Sequence, residues 1–238
     1  MIRRKEVIGN QTLILGDCLE VMPTLGNVDA VIWDPPWGIG FSEYNSHVDD
    51  EGAYPAWILS AMEEAERHIS DGWAVVFQGA RRAHEWASMI PRPWRIMACA
   101  KNFTQILPGQ GPIWSTDFAL FWPVGKPRVE HGRGRDFHLA ITSDMRGRPK
   151  GHPCPRPLDQ MIYVVTCFSE LGFSVLDPTM GSGTTLVACQ RMGRHGTGIE
   201  LDEEYWRIAC ERVHQAWKQP DLFIADSKPP APVQETLI

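Results

Sequence analysis

Val28-Asp29-Ala30-Val31-Ile32-Trp33-Asp34-Pro35-Pro36-Trp37 is an apolar run that stops abruptly on an acid, two prolines and an aromatic ring. The run reads as a buried strand, and the prolines end it, because each restricts the residue before it to extended geometry. A second stretch repeats the design. Phe173 to Leu176 is apolar and leads into Asp177-Pro178-Thr179-Met180-Gly181-Ser182-Gly183-Thr184-Thr185. Each stretch places a carboxylate where a strand gives way to a loop, the edge at which open α/β sheets bind ligands.

Strand-like and helix-like segments alternate around these two stretches, which predicts an α/β fold with a mostly parallel central sheet and helices on both faces. Strands are expected at 12–15, 28–33, 73–77, 95–100, 117–122, 173–176 and 195–199. Helices are expected at 17–22, 54–69, 81–89, from Pro157 to about Phe168, 183–192 and 202–217. Ser70-Asp71-Gly72 reads as a turn, and 101–115 and 124–151 as loops rich in glycine and proline. Trp206, Cys210, Val213 and Trp217 recur at helical spacing and read as core. The tail from Ser227 carries too many prolines to pack and is expected to be unstructured.

At 238 residues, 43% of them hydrophobic, the chain is long enough for one full core. No apolar run reaches membrane-spanning length, so no membrane partner is expected. The six cysteines (18, 99, 154, 167, 189 and 210) form no CxxC pair and read as free thiols in a reducing cytoplasm. His152 and Cys154 alone do not make a zinc site, and no metal is expected. The net charge of −6 argues weakly against a nucleic-acid partner. Its distribution argues otherwise, because between Lys126 and Lys150 seven basic side chains face three acidic ones. Such a basic loop on an acidic body suits nucleic-acid backbone contacts, and the plainer reading is a solvated charged loop.

The glycine loop is not a triphosphate cradle, because no lysine follows as in GxxxxGK[ST]. Nor is it a full GxGxxG, since Leu186 holds the third glycine position. Glu200 stands at the end of the next predicted strand, at the offset from Gly181 where an acid holds the hydroxyls of a ribose. A ribose-bearing cofactor without a triphosphate fits this pattern, and a tight strand-to-helix turn is the simpler alternative. The Asp34 stretch has a chemistry of its own. An exocyclic amino group on a nucleobase is a poor nucleophile, because its lone pair is delocalised into the ring. Two acceptors on its N–H groups, the Asp34 carboxylate and the Pro35 carbonyl, would free that lone pair. Pro36 stiffens the turn, and Trp37 offers a ring for the base to stack on.

On these motifs, over about residues 10–217, the chain resembles the beta group of DNA amino-methyltransferases. These enzymes modify adenine N6 or cytosine N4 with S-adenosyl-L-methionine. The resemblance implies a Rossmann-like methyltransferase fold with circularly permuted motif order, the catalytic motif preceding the cofactor motif. It implies a single catalytic domain over 1–226, with 101–151 as a target-recognition insertion and 227–238 as a tail. It makes Asp34, Pro35, Pro36 and Trp37 catalytic. It brings Gly16, Asp17 and Cys18 to the adenine of the cofactor, His152 and Arg156 to its methionine portion beside Asp177, Gly181, Ser182, Gly183 and Thr184, and Glu200 to its ribose. Arg133, Arg135, Arg146 and Arg148 would contact DNA. The family usually has lysine where this chain has Arg156, and an aromatic where it has Thr179. An aspartate at the head of the tetrapeptide leans toward adenine, whereas cytosine enzymes more often carry serine there.

The alternatives are N4-cytosine methylation, an RNA or protein-amide methyltransferase, and an inactive cofactor-binding regulator that binds DNA. The resemblance leaves room for a homodimer. Gln219-Pro220-Asp221-Leu222-Phe223 is similar to the short peptides that dock on the bacterial replication sliding clamp. The favoured reading of Leu222 and Phe223 is that they pack back on the domain.

Overall fold

A computed structural model describes residues 1–37, 54–79, 85, 95–105, 114–127, 134–140 and 155–219. The central motif strand, β3 (Val28–Trp33), lies mid-sheet. Before it come β1 (Arg4–Ile8), β2 (Gln11–Leu15), the short helix α1 (Cys18–Val21) and a 3-10 turn (Met22–Thr24). After it come α2 (Tyr54–Arg67), β4 (Ile69–Gln78), β5 (Arg95–Gln105), β6 (Trp114–Val124) and β7 (Phe137–Ala140). The C-terminal part supplies α3 (Leu158–Phe168), β8 (Ser174–Asp177), α4 (Thr184–Arg191), β9 (His195–Glu200) and α5 (Glu203–Lys218).

The strands lie in the order β1-β2-β9-β8-β3-β4-β6-β5-β7. From β2 to β4 every pairing is parallel, and β1 and β6 join antiparallel. The two motif strands, far apart in sequence, are therefore neighbours: Ala30 pairs with Val175 and Val31 with Leu176. Alternation along the strands fills both faces. Val31, Trp33, Ala74, Val76 and Trp122 pack under α1 and α2. Ala30, Ile32, Val75, Phe77 and Phe121 pack against Met161, Val164, Val165 and Phe168 of α3. Leu13, Leu15, Leu186, Trp206, Ala209 and Val213 join α4 and α5 to the β2 side. The expected α/β architecture is the one observed. No described helix is long and apolar enough to cross a membrane.

Several local expectations need correction. Ser70-Asp71-Gly72 is not a turn but part of β4, which starts at Ile69. The extra residues are absorbed by a shift in register, since Val28 pairs with Ile69 but Ala30 with Trp73. Gly72 is needed there, because a Cβ would stand 1.8 Å from the carbonyl oxygen of Asp29. Gly72→Ala must displace backbone. It is expected to lower stability by about 1–3 kcal/mol, read as a fall in denaturation midpoint, whereas unchanged stability would mean that the irregularity relaxes freely. Residues 101–105 and 137–140, expected as loop, are strand. Pro157 caps α3 rather than opening it. Trp217 is 49% exposed rather than core, its ring lying over Gly9 at the β1–β2 turn. The expected helix at 81–89 lies outside the described residues except Glu85, and the 227–238 tail lies wholly outside them.

Candidate active site

The parallel strands β2, β9, β8, β3 and β4 all end at one edge of the sheet, and their last residues line it in that order. Leu15 pairs with Glu200, Asp177 with Gly198, and Trp33 with Val76. Asp17, Glu200, Asp177 and Asp34 thus stand along one rim. The permuted motifs meet there because β8 pairs directly with β3. A hydrogen bond reinforces this junction: the buried Trp33 indole donates to Thr179 Oγ1 at 2.8 Å. Thr179 stands where the family usually has an aromatic, and here it receives the ring that β3 supplies. Nothing in the spacing of Trp33 and Thr179 announced that contact.

The glycine loop is held by three anchors. Gly181 has φ 51° and its N–H donates to Glu200 Oε2 at 2.9 Å. Met180 N–H donates to the Ile199 carbonyl at 2.8 Å. Arg212 of α5 reaches under the loop and donates to Ser182 Oγ at 2.8 Å and Thr184 Oγ1 at 3.0 Å. Ser182 and Thr184 are therefore buried struts of the loop. Gly183, with φ 74°, lies against α5, where a Cβ would come 2.8 Å from that of Ala209. Its lack of a side chain serves packing. Arg212 was missed in the sequence, being a helical arginine with no motif around it.

Glu200 is buried, and its other oxygen accepts from Asp202 N–H at 2.8 Å. Burial pushes its carboxyl up to about 7, against the pull of the Asp202 and Gly181 N–H groups. Asp177 is likewise pushed up to about 7 by burial, with the Thr185 hydroxyl opposing and the Asp34 charge adding. Both pKa values lie above those of the unfolded chain. Stability therefore falls as pH rises from about 4 to 7, and a ligand that favours the ionised forms recovers it. Asp17 caps α1, accepting from Leu19 N–H at 2.8 Å. Cys18 is buried in the core with its thiol pushed up to about 12 by burial.

At the head of the tetrapeptide, Asp34 retains 27% side-chain exposure. Pro35 is buried, and Pro36 and Trp37 are half-buried. Trp37 rests on Gly79 just past β4, where a Cβ would come 2.7 Å from the ring. Arg156 contacts the head of the tetrapeptide directly. Its guanidinium grips Asp34 with two parallel bonds, Nε to Oδ2 at 2.8 Å and Nη2 to Oδ1 at 2.9 Å. Nη1 donates to Gln160 Oε1 at 3.0 Å and to Asp117 Oδ2 at 3.4 Å. Lys101 then pairs with Asp117 at 2.5 Å. Burial works against the Arg156 charge, but Asp34 and Asp117 outweigh it and raise its pKa. Asp117, Lys101 and Gln160 carried no signal in the sequence.

His152, Arg133, Arg146 and Arg148 lie outside the described residues, as do positions 220–223 of the proposed clamp peptide. Arg135 is exposed, and its backbone is bound by the Tyr163 hydroxyl of α3. It precedes β7, whose Ala140 pairs with Lys101, the partner of Asp117. Arg135 therefore sits at the opposite end of that strand. Among the described residues no group of His, Cys, Asp and Glu is placed to hold a metal.

An acidic rim with a glycine-rich bend suits a ligand that carries hydroxyls and positive charge. A family profile described as DNA methylase matches residues 112–211. The protein YubD of Escherichia coli (strain K12) is 28% identical over 215 residues, spanning 84% of this chain and 88% of its own. The profile is that of the N6-adenine/N4-cytosine DNA methylases, and over these residues the chain is similar to them. Among solved structures, the M1.HpyAVI complex with S-adenosylmethionine superposes with a TM-score of 0.68 at 24% identity, covering 85% of this chain and 98% of that one. The cytosine-N4-specific PvuII methyltransferase superposes with a TM-score of 0.72 at 15% identity, covering 92% and 95%. At these identities the likeness speaks for the methyltransferase fold. The likeness is to DNA methylases and does not separate the adenine-N6 from the cytosine-N4 kind.

Proposed function

We propose that this chain methylates the N6 amino group of adenine in DNA, with S-adenosyl-L-methionine as donor. The observation that carries the reading is the position of Asp34, a partly open carboxylate at the end of β3, beside the carboxyls of Asp177 and Glu200 on the same rim. When bound, the cofactor supplies a methyl group on a sulfonium sulfur, open to displacement by a nitrogen lone pair. The residues present fit such a cofactor. Glu200 offers acceptors for ribose hydroxyls, and the acidic rim favours the sulfonium and ammonium charges. Asp17 lies at the β2 end of the rim, where the adenine end would rest, and Gly181 and Asp177 lie nearer Asp34.

The target base leaves the duplex, at a cost of a few kcal/mol, and stacks on Trp37. Asp34 and the Pro35 carbonyl accept its two N–H groups, which releases the nitrogen lone pair toward the donor. Alignment supplies most of the rate, and no covalent intermediate with the chain is needed. Adenine is preferred because Asp34 heads the tetrapeptide. The segment 101–151 would recognise the target, in part through the strands it adds to the sheet.

The deciding experiment incubates the chain and S-adenosylmethionine with DNA, RNA and protein, then digests and separates the products. N6-methyladenine from DNA alone is expected. N4-methylcytosine would move the target to cytosine, and methylation of RNA or protein alone would reject the DNA reading. The basic loop makes a separate prediction. Replacing Arg133, Arg135, Arg146 and Arg148 together should weaken DNA binding and flatten its dependence on salt, because fewer counterions are released. An unchanged slope in titrations at several salt concentrations would mean that DNA enters elsewhere. A pull-down with purified sliding clamp tests Gln219-Phe223, and no capture of the intact chain would reject that role.

A further inference from the structure

We infer that Arg156 is a positioning residue for Asp34, fixing the plane and charge of the carboxylate that receives the target amino group. The inference rests on the reading above and assigns a task to a residue that the family resemblance would give to the cofactor. A guanidinium has five N–H donors. Four bonds from Arg156 are accounted for: two to Asp34, one to Gln160 and one to Asp117. Little is left for a methionine carboxylate.

The support behind Arg156 is unusually complete. Its guanidinium carbon lies 3.9 Å from the centre of the Phe77 ring, and its side chain is only 4% exposed. Gln160 is fully buried and turns its oxygen to Arg156, while its Nε2 has no partner among the described residues. Turned this way, Gln160 supplies the acceptor that a buried guanidinium N–H needs. Asp117 is in turn paired with Lys101, so charges alternate from β3 across to β5: Asp34, Arg156, Asp117, Lys101. An arginine held on these sides cannot swing away easily.

Asp34 stays usable in this grip. Each of its oxygens accepts one bond from Arg156, which leaves a lone pair on each, and the side chain remains 27% exposed. A bidentate guanidinium sets the carboxylate plane, whereas a lysine supplies a point charge and leaves the plane free to turn. Arginine in place of the family's usual lysine thus gives this chain a more rigid acceptor. The rival possibility is a latch, in which Arg156 blocks Asp34 until a base displaces it.

The test compares wild type with Arg156→Gln, Arg156→Lys and Asp117→Asn. It measures single-turnover methylation of DNA at saturating substrates, together with S-adenosylmethionine affinity by calorimetry. Arg156→Gln is expected to slow transfer by about 100-fold, the scale of loss for a misplaced catalytic group, with cofactor affinity within about three-fold. Arg156→Lys should recover part of the rate, and Asp117→Asn should slow transfer by a smaller factor with affinity unchanged. If Arg156→Gln fails to fold, the other two variants carry the same expectations. A loss of cofactor affinity that accounts for the loss of rate would return Arg156 to the cofactor and overturn the inference. A wild-type rate in Arg156→Gln would overturn it too, and a faster one would establish the latch. A wild-type chain that transfers no methyl group to DNA would reject the underlying reading itself.

Discussion

Asp34→Ala is expected to abolish methylation while leaving S-adenosylmethionine affinity within a few-fold. In the proposed reading the carboxylate is one of two acceptors for the target amino group; it follows β3, one strand along the rim from Asp177 and two from Glu200. Removing one hydrogen-bonding group that acts on the reacting centre typically costs about 100- to 1,000-fold in rate. A second consequence follows from its partner. Arg156 is 4% exposed and would lose its principal anion, keeping only Asp117 at 3.4 Å and Gln160. Breaking a buried pair from one side costs about 3–5 kcal/mol, and partial exposure of Asp34 places this case toward or below the low end. A fall in melting temperature should therefore accompany the loss of activity. Asp34→Asn separates the two effects, because it keeps the shape and one oxygen acceptor while removing the charge. Calorimetry that shows cofactor binding lost in a folded Asp34→Asn chain would count against the assignment.

Legibility in the sequence followed where the physical signal is local. The strands at 28–33 and 174–177 are apolar runs closed by acid and proline, and both were readable along with the rim they form. The helices over 158–168 and 203–218 carry strong 3.6-residue periodicity and were also readable. β1 was not, because an edge strand buries little: Arg4, Lys5, Glu6 and Val7 are all exposed and show no alternation. The start of β4 was misread because Ser70-Asp71-Gly72 has turn chemistry, and only its neighbour β3 decides that it stays in the sheet. The gap between motif residues and their supports has the same origin. Asp34 and Glu200 announce themselves by position. Asp117 and Arg212 act through partners 39 and 30 residues away, and Lys101 and Gln160 join through Asp117 and Arg156, so no spacing rule marks them. Arg156 was read from its motif toward the cofactor, and its bonds to Asp34, 122 residues away, carried no signal in that motif.

Glu200→Ala should weaken S-adenosylmethionine binding by about ten-fold or more, since a hydrogen bond to a charged group contributes roughly 1.5–3 kcal/mol. The carboxylate has two tasks. The proposed one is to accept the ribose hydroxyls, and the observed one is to hold Gly181 N–H and Asp202 N–H. Its removal therefore also frees the bend of the glycine loop, and the loss can exceed the value for one bond. Acidity gives a second readout. Because burial lifts the Glu200 carboxyl to about 7, a fraction of it is protonated at neutral pH and accepts fewer hydroxyls. Binding favours the ionised form, so affinity should rise as pH increases from 6 to 8 and level off above. Asp177 titrates in the same range, and Glu200→Gln should remove the larger part of this dependence while Asp177→Asn removes the rest. Equal affinity in Glu200→Ala and wild type, measured by calorimetry at pH 8, would show that the ribose is held by other groups along the rim.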